Sequence, residues 1–201
     1  MKHRAALLIL LAGLVLASGA QAAGKPWFGL NAGFGLPSGH FADLATSGWN
    51  AGVTGDYHVS DRFALGGEVS WHSFGGSDDF EKAEGARLTL VHGTPVTVNA
   101  KNTLVPVLVH AKLLTPWGKE LHPYGVFGAG IYHLSSKLEY SAGSSTSSDT
   151  KFGFNLGAGA SHKTSSNVEL GIEARYHWIS SSPNSINLLT VRAQMLFAFG
   201  G

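Results

Sequence analysis

Residues Val168 to Trp178 read VELGIEARYHW, and the two sets of alternate positions within them differ sharply. Val168, Leu170, Ile172, Ala174, Tyr176 and Trp178 make one apolar face. Glu169, Gly171, Glu173, Arg175 and His177 make the other, with four ionisable groups. Successive side chains of a β-strand point to opposite sides, so a period of two marks a strand with one greasy and one polar face. The charged face must then meet either water or its own counter-charges.

The same period runs through most of the chain. Phe28, Leu30, Ala32 and Phe34 alternate with Gly29, Asn31, Gly33 and Gly35. Trp49, Ala51, Val53, Gly55, Tyr57 and Val59 oppose Asn50, Gly52, Thr54, Asp56 and His58; after a turn at Ser60 and Asp61, Phe63, Leu65, Gly67, Val69 and Trp71 oppose Ala64, Gly66, Glu68, Ser70 and His72. Val105, Val107, Val109, Ala111 and Leu113 alternate with Pro106, Leu108, His110 and Lys112, and Phe152, Phe154, Leu156, Ala158 and Ala160 with Gly153, Asn155, Gly157, Gly159 and Ser161. Leu189, Val191, Ala193, Met195, Phe197 and Phe199 oppose Thr190, Arg192 and Gln194. In Pro123–Leu134 the choice is ambiguous. Placing Phe127, Ala129 and Ile131 outward lets Gly128 and Gly130 ease crowding inside. The result is about eight strands of the roughly ten residues that cross a bilayer when tilted.

Composition decides which face is outside. Only 13% of residues are charged and 27 are glycine, whereas a soluble domain carries about 25% charged residues. In a soluble sandwich the polar faces would be the solvated surface, and these hold too many glycines and too few charges for that. A transmembrane barrel inverts the rule: apolar side chains face lipid, and polar and small ones fill the lumen. An open edge in hydrocarbon would leave backbone groups unpaired, so the sheet must close.

The first residues fix the compartment. Lys2, His3 and Arg4, the apolar run Ala5–Ala17, and Ala20, Gln21 and Ala22 make a secretory signal peptide over 1–22, leaving a barrel domain over 23–201. Lys2 and Arg4 are two of 14 basic residues, so the remainder has 12 against 13 acids, a net charge near −1. Nothing in that balance suggests nucleic-acid binding. With no Cys, the exported chain has no disulfides.

Connections and aromatics give independent support. With the first strand starting in the periplasm, Pro37–Ser47, Gly76–Asn102, Ser136–Thr150 and Ser180–Ser185 fall outside, while Ser60–Arg62, Thr115–His122 and Lys163–Asn167 fall inside. Long external and short internal connections are the barrel pattern, with the last external one short. An aromatic girdle is expected at Trp27, Tyr57, Phe63, Trp117, Tyr124, Phe197 and Phe199 on the inner side, and at Trp49, Trp71, Phe152, Tyr176 and Trp178 on the outer side.

TLVPVLVHAKLL, HPYGVFGAGIYHL, FGFNLGAGA and ELGIEARYHW, with the closing aromatic strand, together resemble the small eight-stranded outer-membrane barrels of the OmpA, OmpX and OmpW kind. The resemblance covers nearly all of the chain after the signal, and its motifs are structural. It implies an all-β, antiparallel up-and-down barrel in a Gram-negative outer membrane, no cofactor, and contact with outer-membrane lipids, lipopolysaccharide and the barrel assembly machinery. Such barrels usually end on an aromatic, whereas here Gly200 and Gly201 follow Phe199.

An eight-stranded barrel is just wide enough to be filled by its own side chains. Asp56, Glu68, His72, His110, Lys112, Glu169, Glu173, Arg175, His177 and Arg192, with Asn31 and Gln194, are therefore expected as a packed polar network in the lumen. That arrangement predicts a monomeric, non-enzymatic envelope protein acting through its external loops. A narrow channel would use the same groups as a pore wall.

His58, His72, His110 and His177 point inward but lack metal-ligand spacing, so no metal site is expected. His177 with Ser180, Ser181 and Ser182 suggests a lipid A modifying enzyme, but the His-x-Ser pattern of such deacylases is broken by Ile179. Within the 76–102 loop, Ala86–Asn102 still alternates and would extend a hairpin whose β edge could pair with a surface partner.

Overall fold

The computed structural model describes residues 26–93, 95–115, 121–141, 143–182 and 184–198. The expected signal peptide, Trp117 and Phe199 lie outside them. Eight strands form one closed ring in sequence order: β1 (Pro26–Ser38), β2 (Ala45–Ser60), β3 (Phe63–Gly76), β4 (Val98–Leu114), β5 (Leu121–Tyr140), β6 (Gly143–Ser165), β7 (Val168–Ile179) and β8 (Ile186–Ala198). Every neighbouring pair is antiparallel, and β1 closes on β8. No described helix is long and apolar enough to cross a membrane.

Alternation sets the two faces. Phe34 and Ile172 are 69% and 68% exposed on the outer wall, while their neighbours along the strands turn inward. Phe127 and Ile131 are outward, and Tyr124, Val126 and Tyr132 are inward. We call the end where the chain enters at Pro26 and leaves at Ala198 the near end, and the opposite one the far end.

The far end departs from the expected loops. Pro37–Ser47 contains a short helix, α1 (His40–Leu44), entered through Gly39 at φ 58°, a conformation that favours glycine. Gly76–Asn102 is not a hairpin extension: Asp78–His92 form a helix, α2, before β4 starts at Val98. Ser77 caps it by accepting from Phe80 N, Asp78, Asp79 and Glu81 sit in its first turn, and Gly93 ends it in the left-handed conformation. Ser136–Thr150 is almost wholly strand, because β5 runs to Tyr140 and β6 begins at Gly143.

One seam in the wall is incomplete. The β3–β4 ladder runs to Val69↔Val107 and resumes at His72↔Leu104, skipping Ser70 and Trp71 opposite Pro106 and Val105. Pro106 has no N–H to donate.

Candidate functional site: the charge-filled lumen

The lumen is tiered. Near the entry, Asp56 on β2 receives Lys112 Nζ at 2.6 Å and contacts His110 Nε2 at 2.6 Å, both from β4. Gly66 makes room for this triad, because a Cβ there would lie 2.3 Å from Asp56 Oδ1 and 2.5 Å from His110 Nε2. Lys112 also stands 5.3 Å from the Tyr124 ring centre. Across the lumen, Ser161 Oγ donates to Glu169 Oε2 at 2.9 Å.

The middle tier is a four-charge cluster. Arg192 on β8 grips Glu68 with both terminal nitrogens, Nη2 at 2.5 Å from Oε2, and donates from Nε to Glu173 Oε1 at 2.9 Å. Arg175 Nε lies 2.5 Å from Glu173 Oε1 and Nη1 3.2 Å from Glu68 Oε2. These Arg175 contacts are ionic without hydrogen-bond alignment; its directed bond runs from Nη2 to Glu173 Oε2 at 3.2 Å. Tyr124 OH donates to Glu173 at 3.0 Å and accepts from Gln194 Nε2. Two cations thus meet two carboxylates, all buried, which is the condition under which such charges are tolerated.

Above this lies a tier of imidazoles and hydroxyls. His177 contacts Tyr132 OH through Nδ1 at 3.0 Å and Thr190 Oγ1 through Nε2 at 3.1 Å, and His72 Nε2 meets Ser70 Oγ at 3.1 Å. The far mouth is apolar: Phe41 of α1 meets Phe74 edge-on at 5.6 Å, packed with Ala45, Leu104, Leu108, Ile179 and Leu188. Ser77 holds this cover down, its N–H bonding Leu44 O at 3.1 Å and its hydroxyl Asp43 O at 2.5 Å.

All ten expected lumen residues are buried inside: Asp56, Glu68, His72, His110, Lys112, Glu169, Glu173, Arg175, His177 and Arg192. Asp56, His110 and Lys112 pair directly among themselves, and Tyr124, beside Lys112 and bonded to Glu173, stands between that triad and the four-charge cluster. Of the expected girdle, Trp49 and Trp71 are outward and exposed, and Trp178 stacks on Phe154 at 5.3 Å and meets Tyr176 edge-on at 4.5 Å. Phe197 and Tyr57 are half-buried on the same outward parity.

Trp27 corrects the expectation. It shares the inward parity of Asn31, is buried, and stacks on His58 at 5.9 Å in the near mouth. Tyr124 is inward for the same reason. Sequence reasoning missed Tyr124, Tyr132 and Phe74 as lumen residues, although the parity of Phe127 and of His72 already placed them there. His177 is enclosed by Tyr132 and Thr190, and Ser180 is exposed. Among the described residues no three His, Asp or Glu come together as a metal group.

A closed antiparallel ring with a lipid-facing apolar wall and an ion-paired interior defines a small transmembrane β-barrel. The sequence matches the outer membrane protein beta-barrel domain family over residues 7–196, and the chain belongs to that family. Solved structures agree in fold: Neisserial surface protein A at 15% identity and TM-score 0.56, covering 89% of this chain and 100% of that one. Ail, the attachment invasion locus protein of Yersinia pestis, in complex with the heparin analogue sucrose octasulfate, gives 14% and 0.57 with the same coverage. OprG of Pseudomonas aeruginosa gives 13% and 0.51, covering 90% and 99%. No curated protein matches the sequence at a significant level.

Proposed function

We propose that this barrel is a monomeric, non-enzymatic outer-membrane protein that acts at the cell surface through its far end. On this reading residues 1–22 are a cleaved signal, the termini lie in the periplasm, and the lumen is a structural plug. The single observation that carries the surface role is a free strand edge. β6 pairs with β7 only from Gly153, so Gly143–Lys151 hold β5 on one side and expose the other.

Ser180 N donates to Phe152 O, so residues of Phe152's parity, including Ser144, Thr146 and Ser148, direct their backbone N–H and C=O to that open edge. An extended segment of a partner can add there as a further strand. The expected surface partner of the 76–102 region moves accordingly, because α2 offers no strand edge. Attachment, the property in Ail's name, is the activity we assign to this edge.

The test removes the donor without touching the ladder to β5. Cells displaying Thr146→Pro or Ser148→Pro at wild-type surface levels are compared with wild type for attachment to cultured epithelial monolayers. Attachment falling at least fivefold is expected; equal attachment overturns the reading.

A further inference from the structure

The open edge of β6 has a foot. From Gly153 downward the strand is paired with β7, and the ladder is closed at its upper end by Ser180 N donating to Phe152 O. β7 stops at Ile179, so its lane beside β6 ends there. At that point the outer wall holds an apolar hollow of about 320 Å³, lined by Phe152, Phe154, Trp178 and Ile179 with Ser180 and Ser185 beside them. Phe154 and Trp178 stack at 5.3 Å, and Phe152 is 60% exposed.

The two faces of the edge strand offer a partner little apolar surface. Ser144, Thr146, Ser148 and Thr150 share the outward parity and are exposed; Ser148 donates to Ser135 Oγ at 3.3 Å, and Thr150 Oγ1 lies 3.0 Å from His133 Nδ1. Ser145, Ser147, Asp149 and Lys151 share the inward parity, and the last two pair with each other at 2.5 Å. Such a strand gives its partner backbone hydrogen bonds. The net gain from each bond is no larger than the cost of ordering the residue that makes it. A strand added here therefore also needs to bury apolar surface, and the hollow at the foot supplies it.

Position selects the side chain. Val107, Ile131 and Phe152 form the last wholly apolar outward row of β4–β6, and the next row is Val105, His133 and Thr150. A partner residue opposite Thr150 shares its outward parity and is the diagonal neighbour of Phe152, within reach of a large side chain. It sits where the wall turns from apolar to polar. Tryptophan and tyrosine are favoured at that level, because their rings are apolar and their N–H or O–H meets water. Antiparallel pairing is the more stable kind and the arrangement on both sides of β6. Because β6 descends from Gly143, an antiparallel partner has its N-terminal end at the foot.

We propose that the strand received by β6 is antiparallel and carries a tryptophan or tyrosine near its N-terminal end, seated against Phe152, Phe154 and Trp178, with polar residues after it. The inference rests on the reading that the β6 edge receives a strand, and it makes the partner an extended polypeptide anchored at the membrane surface. The full barrel in phosphatidylcholine nanodiscs is titrated with labelled peptides of alternating Thr and Ser, as long as the open edge. One has Trp as its second residue, one has Trp as its second-last, and one has none. Binding is read by fluorescence anisotropy, with empty nanodiscs as the blank for partitioning into lipid.

Wild type is expected to bind the N-terminally anchored peptide roughly tenfold more tightly than the other two. Phe152→Ser leaves the backbone of the edge in place and removes that preference while the barrel keeps its heat-modifiable mobility; Thr146→Pro weakens the binding of every peptide. Equal or tighter binding of either other peptide, or a preference that Phe152→Ser keeps, overturns the anchor, and the edge stands if Thr146→Pro still weakens binding. Anchored binding that Thr146→Pro does not weaken, or no binding at all, overturns both.

Discussion

The middle of the lumen and its far mouth are both shut, the first by Glu68, Glu173, Arg175 and Arg192 neutralising one another, the second by Phe41, Phe74, Leu104 and Leu188 excluding water. The two closures fail differently. Removing one member of a buried ion cluster strands the others without water, whereas removing one apolar side chain leaves a gap that neighbours can partly fill. The charged tier also belongs to the ring itself, while the apolar tier depends on α1, a five-residue helix held by Ser77.

Arg192→Ala should break this comparison most severely, because it strips partners from Glu68 and Glu173 together. A loss of about 3 to 5 kcal/mol in urea unfolding of the reconstituted barrel is expected. A loss under 1 kcal/mol would show that the carboxylates find other partners. Phe41→Ala comes next. It should lower the local stability of α1 by about 3 kcal/mol, seen as faster amide exchange of Phe41–Ala45, with a smaller effect on global unfolding. An equal global loss would mean that mouth and middle are one cooperative unit.

Pro106→Val probes the boundary between the tiers. A restored N–H should complete the β3–β4 ladder, slow exchange near Ser70 and Trp71, and add about 1 kcal/mol. No change in exchange there would show that something other than the missing donor opens the seam. At the small end, Arg87→Ala removes the solvent-exposed pair with Glu84 on α2 and should leave the unfolding midpoint unmoved.

Parity made most of the wall and lumen legible from sequence, because one face of each strand meets lipid and the other a closed interior. At the far rim that constraint vanishes. With water on both sides, Ser136–Thr150 has no apolar alternation and still forms a hairpin. α2 was obscured by the accidental alternation of Leu88 and Leu90, although Ser77, the acids after it and Gly93 carried the helix signals. Pairing inside the lumen was not legible, since it depends on barrel stagger, which brings Glu68 on β3 to Arg192 on β8 across the ring.

Ring closure and charge neutralisation consequently depend on the same strand. Trp27 meets Ala198 only when the last strand docks on the first, and that last strand carries Arg192. Without β8, Glu68 and Glu173 would share Arg175 alone, beside an unsatisfied sheet edge. A ring lacking β8 would combine excess negative charge with open backbone, two features that hydrocarbon disfavours, so the same strand that closes the sheet also balances its interior.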